Sequence, residues 1–266
     1  MSVEAPPPPH LLLAPPEVVP DLSKYRTEDD TPVDSFFHAH QQVLLVEQLA
    51  SSWPGPGDGR PFLITKNVGL FHTANRPAVV PDVMLALDVE FHRDQSRPEN
   101  RSYFLWVVGK PPDVAIEIVS PTPGGETTEK LQLYARIGIP YYAIFDPEHH
   151  QIPEDLRLYE REGRRYRPLS TGILPELGLG LTVWDGTYAG AEPGRWLRWT
   201  DANGVLIPTG LERAEAEARR AEAEGRRAEA EHRRAEAAEA RARELEERLA
   251  RYAAKLKDAG LNANGD

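Results

Sequence analysis

Apolar runs of strand length, punctuated by proline and glycine, alternate with two helical patterns along most of this chain. Between Asp34 and Trp53 the apolar positions Phe36, Val43, Leu44, Val46, Leu49 and Ala50 recur near helical spacing. This predicts a helix with Asp34 at its N-cap, ended by Pro54 and Gly55. Strand-like runs follow at Phe62 to Lys66, Gly69 to His72 and Ala78 to Val89. Asp94 to Arg101 is polar and patternless, a loop, before further strands at Ser102 to Val108 and Val114 to Val119. Ser120 to Gly125 holds two prolines and two glycines and must turn. A second helix is expected from Glu126 to Ile137, closed by Gly138 ahead of Pro140. Tyr141 to Phe145, bounded by Asp146 and Pro147, reads as a buried strand. Hairpin-like pieces (Leu156 to Glu160, Tyr166 to Leu169) and a tryptophan-rich end (Trp184, Trp196, Trp199) complete this part. The order predicts an α/β or α+β core of one mixed central sheet flanked by helices, followed by a long C-terminal helix.

Both ends differ from this middle. Residues 1–25 carry Pro6 to Pro9, Pro15, Pro16 and Pro20, which cannot hold helix or sheet pairing, so a disordered or polyproline arm is expected. Residues 26–209 are expected to form the folded domain, 210–258 an Ala/Glu/Arg-rich helix and 259–266 a disordered tail. In the helix, a seam alternating three and four runs through Leu211, Ala214, Ala218, Ala221, Gly225, Ala228, His232 and Ala235. It slips once near Ala238 and resumes at Ala242, Leu245, Leu249, Tyr252 and Leu256. Such heptads predict a coiled coil, hence a homodimer, most strongly from Ala242 onward. The competing expectation is a lone solvated helix held by i,i+4 Glu–Arg pairs worth about 0.3 to 0.5 kcal/mol each.

Composition narrows the setting. The chain has no cysteine, which excludes disulfides and thiolate metal sites. No apolar run reaches the length of a membrane span, and the N-terminus lacks the basic start of a signal peptide, so a cytoplasmic protein is expected. Gly210 to Asp258 holds 13 basic and 13 acidic residues, so the rest of the chain carries the whole net charge of -11. A nucleic-acid partner would therefore be met through a local patch and bound cations, not bulk charge.

Two carboxylates interrupt the greasiest stretches. Glu117 shares a strand face with Ala115 and Val119, and Asp82 breaks the run Val79, Val80, Val83, Met84. A carboxylate placed so is costly to bury unless paired or metal-bound. Two of them, with the Ile118 backbone carbonyl and waters, form an oxygen set for a hard divalent cation, and Lys130 on the following helix could serve an attacking water or a crowded phosphate. Blander readings compete. Glu117 could pair with an arginine or cap the Ser120 turn, Asp82 could serve a turn after Pro81, and Lys130 could be solvated. His38 and His40 diverge on a helix and His149 with His150 lies in a loop, so neither pair makes a zinc site. Asp88 and Glu90 form a rival acidic pair without an amine, and Ser120 lacks the nucleophile elbow of a serine hydrolase.

Taken together, Pro81-Asp82-Val83, Ser102 to Trp106, Gly109-Lys110, Pro112-Asp113-Val114, Ile116 to Thr122, Lys130, Tyr134, Gly138, Tyr142 and Phe145-Asp146-Pro147 resemble the Uma-two-type restriction endonuclease family of the PD-(D/E)XK nuclease superfamily. The resemblance covers roughly Asp34 to Glu212. It implies a restriction-endonuclease-like core and hydrolysis of DNA phosphodiesters with Mg²⁺, for which Mn²⁺ could substitute. Asp82 and Glu117 match the motif acids. Where the family superfamily expects Glu-x-Lys, this chain has Glu117-Ile118-Val119, and the resemblance makes Lys130 the substitute amine. It also offers Glu126, one turn before Lys130, and Glu47 on the first helix as secondary acids. The alternative is a nuclease fold without catalysis that binds or scaffolds through its helical tail.

Overall fold

Helix α1 (Phe36–Ser52) opens on Ser35, whose hydroxyl accepts the N–H of His38 and so satisfies a backbone donor that the first helical turn leaves without a partner. The computed structural model describes residue 21 and residues 35–258 apart from 75, 95 and 123. Asp34, the expected N-cap, lies outside the described residues, as do the arm at 1–25 save residue 21 and the tail at 259–266. The chain divides into two units, Met1–Gly210 and Leu211–Asp266.

In the first unit, strands β1 (Phe62–Lys66), β2 (Leu70–Phe71), β3 (Val83–Leu87) and β4 (Tyr103–Phe104) precede a single helical turn, α2 (Leu105–Val108). After it come β5 (Val114–Ile118), α3 (Glu129–Ile137), β6 (Tyr141–Phe145), β7 (Leu156–Glu162) and β8 (Arg165–Pro168). Six of these strands form one mixed sheet in the order β1-β3-β5-β6-β7-β8. Within this sheet the β5–β6 pair, which flanks α3, runs parallel and the other pairs antiparallel. Strands β2 and β4 pair in parallel as a two-stranded sheet, and β9 (Ile173–Leu174), β10 (Leu179–Gly186) and β11 (Gly194–Asp201) make a separate antiparallel sheet. The tryptophan-rich end is thus a second layer rather than an extension of the first sheet. Trp184 and Trp196 pair across it, and Trp199 faces inward.

Alternation along the strands gives the main sheet two apolar faces. Val83, Leu85, Val114, Ile116, Ile118, Ala143 and Phe145 pack with Leu45 and Leu49 of α1 and with Leu181, Leu197 and Trp199 of the second sheet. Met84, Ala86, Ala115, Val119, Tyr142 and Ile144 pack with Tyr134 of α3 and with Leu70 and Tyr103. Because both faces are covered, β3, β5 and β6 are apolar throughout their lengths, apart from one acid.

Three glutamines of α1 are buried. Gln41 binds the Leu197 N–H and C=O at 2.9 Å each, while Gln48 accepts from Trp199 N at 3.2 Å and donates to the Ile207 carbonyl at 2.5 Å. These amides take the place of the missing neighbour on the open edge of β11, which is how a buried strand edge is kept satisfied.

Two local expectations need correcting. Ser102 to Val108 is not a strand beyond Phe104: Val107 is exposed between buried Leu105 and the turn, and Gly109, at φ 84, closes a helical turn by donating to Leu105 O. Likewise α3 begins at Glu129 rather than Glu126. Gly125, at φ 83, holds the preceding turn, and its carbonyl accepts the N–H groups of Thr128 and Lys130. Helix α4 (Gly210–Asp258) starts on the last residue of the first unit and supplies all the described residues of the second, 49 residues of unbroken helix with no buried residue.

Candidate active site

Asp82 stands one residue before β3, and the β3–β5 register pairs Val83 with Ile116. Continuing that antiparallel register by one residue sets Asp82 opposite Glu117, on the sheet face that carries Met84 and Ala115. Beyond this point β3 has run out, and the outward amide and carbonyl of Ile118 need other partners. Asp82 Oδ2 accepts the Ile118 N–H at 2.7 Å, and His38 Nε2 lies 3.0 Å from the Ile118 carbonyl. A carbonyl oxygen can only accept, so Nε2 is the protonated nitrogen, and Nδ1 faces the Ser35 hydroxyl at 3.0 Å. The carbonyl expected to face a metal thus has one lone pair committed to His38.

Asp82 Oδ1 accepts from Gln42 Nε2 at 2.8 Å, and Gln42 is in turn locked to Asn67 by reciprocal amide bonds of 2.8 and 3.0 Å. Each oxygen of Asp82 therefore has one protein donor and keeps further lone pairs, facing the end of β5.

Glu117 is 1% exposed. Its Oε1 accepts from the Tyr134 hydroxyl at 2.5 Å and its Oε2 from Lys130 Nζ at 3.0 Å, both from α3. Burial first, and the charge of Asp82 second, push its carboxyl up to about 8, against the opposing pull of Lys130 and Tyr134. For Lys130, burial works against the ammonium, yet attraction to Glu117 prevails and the net shift is upward. The Tyr134 phenol is raised well above its usual value by burial and by Glu117, so it stays a donor.

Glu126 is buried beside this group rather than on α3. Its Oε1 lies 3.7 Å from Lys130 Nζ, while Oε2 accepts from Gly124 N at 3.0 Å and Gln151 Nε2 at 2.7 Å. Glu47 is placed elsewhere: its Oε1 accepts the Gly210 N–H at 2.6 Å, so it serves neither as a solvated residue nor beside the other acids. The rival pair also dissolves, because Asp88 leaves the strand at φ 59 and forms a surface ion pair with Arg60.

Of the expected residues, the fold brings together Asp82, Glu117, Lys130 and Glu126. It adds Gln42, His38 and Tyr134, to which sequence reasoning gave no part in the site. Tyr134 had a signal, its i,i+4 spacing from Lys130, which puts both on one helix face. Gln42 had a weaker one, a polar amide on an apolar helix face.

A family model described as putative restriction endonuclease, Uma2, matches residues 16–184. This chain belongs to the Uma2 family. The crystal structure of a putative nuclease belonging to DUF820 from Anabaena variabilis is similar at a TM-score of 0.38 and 16% identity, over 53% of this Uma2 chain and 71% of that one. No curated protein matches it.

The donor set suits one kind of cation. Among the described residues no group of three or more His, Asp or Glu side chains gathers to cage a metal. Magnesium needs less, one or two carboxylates completed by waters and substrate phosphate. Burial, and after it the nearby charge of Asp82, push the Glu117 carboxyl upward, and a cation at this spot would relieve both.

That shift has a measurable consequence in metal-free protein. The folded carboxyl titrates near 8 and the unfolded one near 4.5, so the native state keeps a proton the unfolded chain loses across that window. The Glu117 contribution to stability is fully present below the unfolded value and is lost as pH rises to about 8, at up to about 1.4 kcal/mol per pH unit. The Tm of the wild type is expected to fall relative to Glu117→Gln by about 3 to 5 °C per pH unit there. Parallel Tm curves for the two proteins would show that Glu117 is not held as described.

Proposed function

We propose that this Uma2 protein is a divalent-metal-dependent endonuclease that hydrolyses DNA phosphodiester bonds and leaves 5′-phosphate ends. The observation that carries the reading is Glu117, buried mid-sheet on the face shared with Asp82 and bonded directly to Lys130. Buried Glu117 and Glu126 with half-buried Asp82, served by the single ammonium of Lys130 at a strand end, are a costly arrangement that reaction chemistry rewards. Family membership supports the same class of activity.

Asp82 and Glu117 are the residues that would hold Mg²⁺ or Mn²⁺. When bound, such a cation supplies a water of lowered pKa and neutralises charge building on phosphate oxygens. Gln42 and the Ile118 amide aim the Asp82 carboxylate, and Tyr134 fixes the rotamer of Glu117. Lys130 presents its ammonium at the same spot, where it can release Glu117 and meet a phosphate oxygen or orient the water. A DNA substrate would place the protein in the cytoplasm. Among the described residues no helix is long and apolar enough to cross a membrane.

One observation favours a second reading, a nuclease fold that binds without cutting. Val119, at the position where the motif lysine is expected, is buried in the core. Supercoiled plasmid and single-stranded RNA incubated with the full chain separate the two readings. Nicking and linearisation of the plasmid are expected with Mg²⁺ or Mn²⁺ and should stop on chelation. Plasmid left intact under every metal condition would overturn the catalytic reading, and degradation of RNA alone would overturn the choice of DNA.

A further inference from the structure

We propose that Ala235 to Leu256 of α4 pairs with the same segment of a second copy as a parallel, in-register two-stranded coiled coil, while the upstream part of α4 stays unpaired. The inference holds whether or not the folded unit cuts DNA.

The apolar part of the argument is a stripe without a cover. Leu245, Leu249, Tyr252 and Leu256 are 56, 68, 57 and 41% exposed on a helix whose spacing of four, three and four puts them on one line. Ala235, Ala238 and Ala242 extend the line toward the N-terminus. Counting Ala235, Ala242, Leu249 and Leu256 as the a positions makes Ala238, Leu245 and Tyr252 the d positions.

Charge then selects the occupant and its direction. In this frame the e positions are Glu239 and Glu246, followed by Ala253, and the g positions are Arg234, Arg241, Arg248 and Lys255. In a parallel dimer each g residue meets the e residue five positions later on the partner, so Arg234 meets Glu239 and Arg241 meets Glu246. An antiparallel pair would instead bring e against e and g against g, Glu on Glu and Arg on Arg. Sequence identity between the strands therefore attracts in one direction and repels in the other.

Upstream the flanks change. The seam Ala214, Ala218, Ala221, Gly225, Ala228 is bordered on both sides by Glu215, Glu217, Glu222, Glu224, Glu229 and Glu231, which repel in either orientation. Glu215, Glu217 and Glu222 are drawn into i,i+4 pairs with Arg219, Arg213 and Arg226 of the same helix. Downstream, Glu239 lies 3.8 Å from Arg243 of its own helix and would exchange that contact for Arg234 of the partner, while among the described residues Arg241, Glu246 and Arg248 enter no ion pair within α4.

The test uses the full chain. Sedimentation across micromolar to millimolar concentration is expected to show a shift from the 29.7 kDa chain toward twice that mass. The double variant Glu239→Arg, Glu246→Arg should remain monomeric with its helix content unchanged. Mixing it with Arg234→Glu, Arg241→Glu should restore a heterodimer. Because the chain has no cysteine of its own, Tyr252→Cys reports direction: a parallel pair brings the two sulfurs together and oxidises to a covalent dimer. A monomer at every concentration, a dimer that survives the charge reversal, a larger oligomer, or a dimer that Tyr252→Cys does not cross-link would each overturn the proposal.

Discussion

Glu117→Gln should lose plasmid cleavage by about 10³-fold or more while folding as well as the parent, or better above pH 7. The substitution keeps the shape of the side chain and its ability to accept from Tyr134 or Lys130, so the two bonds of 2.5 and 3.0 Å need not both disappear. What it removes is a negative charge in a site where burial and Asp82 already oppose that charge. The fold gains by its removal, because a buried charge is costly to keep. Catalysis loses, because an amide cannot replace a carboxylate beside a divalent cation. The opposite signs are diagnostic. A merely structural Glu117, paired with Lys130, would lose stability on substitution and leave any nicking untouched. Cleavage by Glu117→Gln at the wild-type rate would reassign the activity to another site or a contaminant. A divalent cation that raises the Tm of the wild type at pH 8, where the carboxyl is already losing its proton and the cation can displace the rest, should leave Glu117→Gln unmoved.

That two acids lie in the same neighbourhood could be read from sequence because burial is expensive. A glutamate inside Val114 to Val119 announces a partner, and β1 and β6 could be placed to the residue because short apolar runs between turn residues have few alternatives. The partners were hidden for a reason of distance along the chain. Gln42 lies 40 residues from Asp82, and His38 lies 80 from Ile118. No periodicity within α1 says which amide will face a strand that has ended early. The lysine was displaced as well: it arrives from α3 rather than from the strand, and only the packing of α3 on β5 shows that its Nζ reaches Glu117.

The second sheet escaped notice for another reason. Leu179, Leu181 and Val183 alternate with Gly180, Thr182 and Trp184, a strand pattern in itself. Alternation cannot say which sheet a strand joins, since it describes two faces and not two edges. The deciding contacts are made by α1. Gln41 and Gln48 satisfy the β11 edge, and Leu45 contributes both its side chain to the shared core and its carbonyl to Trp199 Nε1. One helix thus ties three things: the second sheet through its glutamines, the main sheet through Leu45 and Leu49, and the site through His38 and Gln42.

Trp199→Ala is therefore expected to lower the unfolding free energy by about 3 to 5 kcal/mol, with a fall of roughly 6 to 20 °C in Tm. Trp199 is fully buried, fills the space between α1 and the second sheet, and donates from Nε1 to the Leu45 carbonyl at 3.0 Å. Truncation leaves a cavity that a helix pinned at Gln41 and Gln48 cannot close, which places the cost at the upper end of large-to-small changes. Trp199→Phe retains most of the ring and loses the donor, so its penalty should be nearer 1 to 2 kcal/mol. Both are read by urea unfolding followed by circular dichroism. Because α1 also holds Asp82 and the Ile118 carbonyl, the Ala variant should lose nuclease activity on warming along the same curve on which it loses helix signal. A penalty under about 1 kcal/mol for Trp199→Ala would mean that the second sheet is not part of the cooperative unit that builds the site. Activity that outlived the helix signal would mean that α1 is not what holds the acids in place.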